Sequence, residues 1–168
     1  MPDPTPPVIR AATVGDAPVI TGFNALLALE TESRSLDPTR LRAGVDALFS
    51  DPSKGIYWVA EMENQIVGQL MITTEWSDWR NGCFWWIQSV YVHRDFRGRG
   101  VFRALHESVR CDALTRPGVC GVRLYAARAN QRARETYLRL GFSHTDYEIF
   151  EEDFSGRAPV IPTAADGW

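Results

Sequence analysis

The stretch "HRDFRGRGVFRALHESVR", His93–Arg110, places Arg94, Arg97, Arg99 and Arg103 around Gly98 and Gly100, with Asp95 as the nearest acid. It falls where a strand gives way to a helix. A helix start leaves about four backbone N–H groups without partners, and the helix dipole adds partial positive charge there. Glycines let such a backbone approach a ligand closely and take φ > 0 where required. A plain surface turn needs none of this. An anion cradle, suited to a pyrophosphate, needs all of it.

The rest of the chain frames that turn. A length of 168 residues predicts a single domain with a proper core, taken as residues 8–154 followed by a tail over 155–168. Residues 1–7 are Pro-rich and expected to fray. A formal net charge of -3 argues against a general affinity for nucleic acid. Cys83, Cys111 and Cys120 form no Cys-x-x-Cys pair, which makes disulfide scaffolding and zinc poor expectations and suits a reducing cytoplasm. No apolar run approaches membrane-spanning length.

Strands are predicted at "VIRAA", on both sides of the turn Glu63-Asn64, at "CFWWIQSVYV", at "GVRLYAA" and at "FSHTDYEIFEEDF". Helices are predicted after Asp16 as N-cap, with Val19, Phe23, Leu26 and Leu27 at helical spacing, and after the Asp37-Pro38 cap. Two more run over roughly Gly100–Thr115 and Asn130–Leu140. This order predicts an α/β (α+β) fold: a mixed, mostly antiparallel twisted sheet of six to seven strands with helices on both faces. Such sheets take ligands beyond the strand carboxyl ends, where neighbouring strands part.

Taken alone, Gly98-Arg99-Gly100 fits a tight connection as well as a binding turn. It is no P-loop and no dinucleotide fingerprint, since Arg103 stands where the third glycine would fall. The longer stretch "IQSVYVHRDFRGRGVFRALHESV", however, resembles the cofactor motif of the GNAT superfamily of acyl-CoA N-acyltransferases, Arg/Gln-x-x-Gly-x-Gly/Ala. It reads here Arg97-Gly98-Arg99-Gly100-Val101-Phe102, with Phe102 replacing the last small residue. "LYAARANQRARETYLRLGF" is similar to the second cofactor segment, with Asn130, Tyr137 and Gly141-Phe142 in register.

The resemblance implies acetyl-CoA as co-substrate, no metal, and transfer of the acetyl group to a primary amine by direct attack in a ternary complex. It implies that Arg97 to Arg103 hold the pyrophosphate. Val90, Tyr91 and Val92 run along the pantetheine arm, with the Val90 N–H on the thioester carbonyl. Val90 and Val92 suit an ordinary buried strand equally well. Tyr137 is implied as the acid for the leaving thiolate; a phenol pKa near 10 lies above a thiol pKa of about 8.5. Asn130 and Tyr137, seven residues apart, share one helix face.

An amine nucleophile must also lose a proton, which at neutral pH costs roughly 4–5 kcal/mol for a lysine-like amine. Phe84, Trp86 and Gln88 alternate on one face of the strand before the turn and offer no carboxylate. The base is therefore sought at Glu75, Glu32 or Asp78. Trp76, Trp79, Trp85 and Trp86 fall within a dozen residues, with Trp86 and Phe84 on one strand face and Trp85 on the other. Besides core packing, they suggest an aromatic wall for a small acceptor rather than a protein tail. His93, His106 and His144 lack metal-ligand spacing. A homodimer is left open, and without a strand carboxylate a non-catalytic acyl-CoA-binding module on the same fold remains the alternative.

Overall fold

The computed structural model describes residues 6–154, so the tail from Ser155 and most of the Pro-rich start lie outside the described residues. The described residues form two compact units that part between Gln131 and Arg132.

The first unit runs β1 (Val8–Ala11), α1 (Ala17–Glu32), α2 (Pro38–Ser50), β2 (Ile56–Met62), β3 (Gln65–Ser77), β4 (Gly82–Val92), α3 (Val101–Thr115) and β5 (Val119–Leu124). Its strands make one sheet in the order β1-β2-β3-β4-β5. The first three pairings are antiparallel and β4–β5 is parallel. Glu63 and Asn64 both take positive φ, 52° and 58°, as a two-residue hairpin turn between β2 and β3 demands. Asp37 caps α2 by accepting from the Arg40 amide at 2.7 Å, with Pro38 in the first turn.

Strand pairing sorts the two faces. Tyr57 opposite Met71 and Val59 opposite Gln69 face α1 and α2, where Ala17, Ile20, Val45, Leu48, Tyr57 and Val59 make a buried cluster. On the other face, α3 buries Val101, Leu105, Val109 and Ala113, one residue every turn, against β2, β3 and β5. Each large apolar side chain so buried contributes about 1.5–3 kcal/mol. Close approach of α3 depends on Gly68, because a Cβ there would stand 2.8 Å from Val101 Cγ1.

Three expectations need correction. The expected six to seven strands are five among the described residues, because residues 142–154 form no strand. Their polar–apolar alternation satisfies the strand pattern, but an extended segment becomes a strand only through a ladder, and Tyr147, Ile149 and Phe150 are exposed. Asp16 does not cap α1 with its side chain. Arg10 holds it instead, at 2.7 and 3.0 Å, and it accepts from the Thr13 amide at 2.7 Å. In α1 the inward face is Ala17, Ile20, Phe23 and Asn24, while Val19 and Leu26 are exposed. A polar Asn24 can take an inward place because polar partners meet it there.

The second unit holds most of the last helix, α4 (Gln131–Arg139). Gly141, at φ 92°, ends it: the Gly141 amide donates to Leu138 O and the Phe142 amide to Tyr137 O, both at 3.1 Å. These are the paired bonds of a Schellman cap. Among the described residues no helix is long and apolar enough to cross a membrane.

Candidate active site

The glycine turn sits between the end of β4 and the start of α3. Gly98 and Gly100 take φ 80° and 78°, a left-handed conformation that disfavours any side chain, and a Cβ on either would meet nothing within 4 Å. Packing therefore does not require these glycines; backbone shape and open space do. Helical bonding in α3 begins with the Ala104 amide donating to Gly100 O at 3.0 Å. Among the described residues the amides of Gly98, Arg99, Gly100 and Val101 donate no hydrogen bond, and Gly100 caps without a side chain. Four unbonded donors and the positive end of a fifteen-residue helix thus gather at one turn, with open space beside Gly98 and Gly100.

The arginines divide between bracing and exposure. Arg97 Nε donates to Val92 O at 2.9 Å and its Nη2 to Glu30 Oε2 at 2.6 Å, so its guanidinium is turned onto β4 and α1. Tyr91 completes the knot by donating to Glu30 Oε1 at 2.9 Å. Arg97 first, then Tyr91, hold the Glu30 carboxyl below its ordinary range. Arg99 lies over the Phe96 ring at 4.9 Å and 3.9 Å from Glu63. Arg103 is exposed on the first turn of α3. Phe102, where the motif has a small residue, is half-buried with its ring 6.4 Å from that of His106.

Beside the turn the sheet opens. The pairing of β4 with β5 ends at Ile87–Leu124, while β4 runs on to Val92. On its other edge β4 keeps β3, but with an irregularity: Gln69 pairs with Tyr91 and Met71 with Gln88, so Ser89 and Val90 stand opposite Leu70 alone. This is a β-bulge, and Ser89 within it takes φ 50°. Gln69 Nε2 donates to Ser89 O at 3.3 Å and to Asn24 Oδ1 at 2.7 Å, and Asn24 Nδ2 donates to the Tyr57 hydroxyl at 3.0 Å. Burial pushes the Tyr57 phenol above its ordinary range, against bonds from Asn24 and Ser89 that lower it.

The sheet face carrying Phe84, Trp86 and Gln88 also carries Glu75 and Thr73, their partners on β3. Glu75 is not free there: Oε1 accepts from Arg123 at 3.0 Å and Oε2 from the Trp86 indole. Arg123 covers the Phe84 ring at 3.5 Å and Arg80 lies 5.0 Å from its centre. Part of the expected aromatic wall is thus already occupied by the protein's own cations: Arg123 also lies 5.9 Å from the Trp86 ring, which has Tyr125 at 6.2 Å. Glu32 ends α1, exposed, and Asp78 accepts from the Trp79 amide at 2.9 Å in the β3–β4 turn. Trp76 and Trp79 are exposed and Trp85 is buried. No cluster of metal-ligating side chains occurs among the described residues.

In the second unit, the Schellman cap sets Phe142 against Tyr137, ring centres 6.0 Å apart and edge to face. Desolvation raises the Tyr137 phenol above its ordinary value. Asn130 immediately precedes α4 and donates its amide to Ala127 O at 2.9 Å.

Sequence reasoning missed the bulge serine, its brace and the Glu30 partner of Arg97. One signal was available: "IVGQLMI" sets Gln69 between Val67 and Met71, an inward polar residue in an apolar strand.

Residues 23–142 match the acetyltransferase (GNAT) family. A possible acetyltransferase from Clostridium difficile 630 has the same fold at TM-score 0.82 and 40% identity, over 88% of this chain and 97% of that one. A ribosomal-protein-alanine N-acetyltransferase from Brucella melitensis biovar Abortus 2308 matches in fold at TM-score 0.72 and 20% identity, over 88% and 99% of the two chains. A predicted acetyltransferase with acetyl-CoA from Clostridium acetobutylicum does so at TM-score 0.71 and 18% identity, over 87% and 96%. No curated protein sequence matches significantly.

Proposed function

The chain belongs to the GNAT acetyltransferase family, and from that premise we propose that it transfers an acetyl group from acetyl-CoA to a primary amine of a small molecule, by direct attack within a ternary complex. The observation that carries this reading is the meeting of two features in one place. Unbonded amides of Gly98 to Val101 gather at the start of α3, with open space beside the two glycines, and β4 runs past its last β5 partner beside them. The donor set suits a diphosphate, and the free edge of β4 suits an extended amide-bearing arm.

Acetyl-CoA supplies the activated thioester. Every other task falls to this chain. The amides of Gly98, Arg99, Gly100 and Val101 hold the pyrophosphate, with Arg99, Phe102 and Arg103 around it and Asn130 on the second cofactor segment. Arg97 acts by fixing the turn. The backbone of Val90, Tyr91 and Val92 binds the pantetheine arm, and the Val90 N–H stands as donor to the carbonyl oxygen, where a placed donor acts on developing negative charge. Tyr137 holds the proton that the departing thiolate takes; desolvation makes its phenol a weaker acid than usual, so it stays protonated throughout the neutral range. Glu75 and Glu32 are the proposed proton acceptors for the amine, Glu75 on the sheet face that carries Trp86 and Gln88.

The partial filling of the aromatic face by Arg123 and Arg80 favours a compact acceptor over a peptide. The test is thiol release from acetyl-CoA across small amines, amino acids, polyamines, aminoglycosides and lysine peptides. Turnover with a small amine is expected. Turnover with peptides alone overturns the small-molecule reading. A protein that binds CoA but turns over none of them is the non-catalytic binding module.

A further inference from the structure

Ser89 occupies a conformation that a serine does not keep without compensation, φ 50° in the middle of a long strand. Compensation comes from a side chain. Gln69, wholly buried on β3, donates to the Ser89 carbonyl and is itself anchored on Asn24 of α1, which in turn bonds Tyr57 of β2. Four elements therefore converge on one carbonyl. The arrangement is not an economical way to fill a core: Gln69 Oε1 is buried with no hydrogen-bond partner among the described residues, a cost an apolar residue would avoid.

Peptide geometry supplies the consequence. Every described peptide bond is trans, and in a trans peptide the carbonyl and the following N–H point in opposite directions. Fixing the Ser89 carbonyl on the Gln69 side chain, which reaches from β3 on the face that α1 covers, turns the Val90 N–H away from β3 and α1, along the stretch of β4 that has lost β5 beyond Ile87. We infer that Gln69, anchored by Asn24, is the positioning residue that aims the Val90 amide at the thioester carbonyl, an inference that rests on the reading of Val90 as the carbonyl's donor.

Two measurements keep these apart. In the 15N-labelled wild-type protein, the Val90 amide proton should move downfield with acetyl-CoA relative to CoA. Absence of that difference removes the donor, and the inference with it. Gln69→Met keeps length and apolar bulk but cannot donate. It should lower kcat about 10- to 100-fold, less than or comparable to the loss of an entire donor, leave the Kd for CoA within about 2-fold, and shrink the acetyl-CoA-dependent Val90 shift. Adding Ser89→Gly should recover several-fold of the lost rate, because glycine takes that φ unaided. Asn24→Ala releases the anchor and should act in the same direction, which keeps the test open if Gln69→Met does not fold. A folded variant with unchanged kcat and Val90 shift overturns the inference. So does a parallel loss of rate and CoA affinity with the shift intact, the mark of a purely structural role.

Discussion

Arg97 and Glu30 are 2.6 Å apart, and this contact ties the cofactor turn to the end of α1. The same guanidinium also holds Val92 O at 2.9 Å, so one side chain joins the turn, the free end of β4 and a helix that covers the sheet. Both partners are about a third exposed, and such a pair adds little to global stability, about 0–1 kcal/mol. Its weight lies in shaping the turn. Glu30→Ala should therefore weaken CoA binding about 3- to 10-fold, Arg97→Ala by a similar factor, and the double variant by no more than either alone. Titration calorimetry on the four proteins checks this. Tighter CoA binding in Glu30→Ala would show instead that Glu30 competes with phosphate for the arginine.

Gly98 and Gly100 separate two costs that are usually mixed. Because a Cβ at either position meets no atom within 4 Å, alanine there strains only the backbone, by about 1–2 kcal/mol at a left-handed φ. The same methyl group projects over amides that the pyrophosphate is proposed to use. Gly100→Ala should thus lose about 1–2 kcal/mol in urea melts and at least tenfold in CoA affinity. Equal effects on both proteins, ligand-free and ligand-bound, would place the phosphate elsewhere.

Much of this was legible from residue patterns, and the reasons differ by element. Asp37-Pro38 and Glu63-Asn64 announced their cap and turn because local backbone chemistry decides both. Phe84, Trp86 and Gln88 fell on one face because a strand alternates. Ser89 gave no sign. Its φ is imposed by Gln69 and Asn24, which lie 20 and 65 residues away in the chain, and no local propensity asks for it. Glu30 was equally hidden, since only the packing of α1 brings it to Arg97. The segment after Phe142 erred the other way: its alternation met the strand pattern, but a ladder is a property of two segments and none forms there among the described residues.

Asp16 predicts how stability responds to acid. Its carboxyl is pulled down to about 2, first by the bonds from Arg10, against desolvation, with the Thr13 amide helping. A depressed folded-state pKa contributes stability that is fully present above the unfolded value near 4 and is lost as pH falls toward about 2. With a side chain only 12% exposed, the loss is on the order of 1–2 kcal/mol. Urea melts at pH 6 and pH 3 should show that loss in the wild-type protein and a smaller one in Asp16→Asn, which starts less stable. A wild-type loss matched by the variant would assign acid sensitivity to other carboxylates.

Tyr137 carries the prediction that bears most directly on chemistry. Its ring lies against Phe142, and the Schellman bonds that fix Phe142 depend on Gly141 at φ 92°. Tyr137→Phe keeps the ring and removes the hydroxyl that carries the proton, so kcat should fall about 10²- to 10⁴-fold with CoA affinity nearly unchanged. Because desolvation raises the phenol, the wild-type enzyme should show no loss of rate through neutral pH, and any loss of the acid should come only above the ordinary phenol range. Gly141→Ala leaves the hydroxyl in place but strains the cap, which should cost about 1 kcal/mol of stability and a smaller part of kcat. If Tyr137→Phe turns over normally, the proton comes from solvent, and the edge-to-face pair with Phe142 is packing alone.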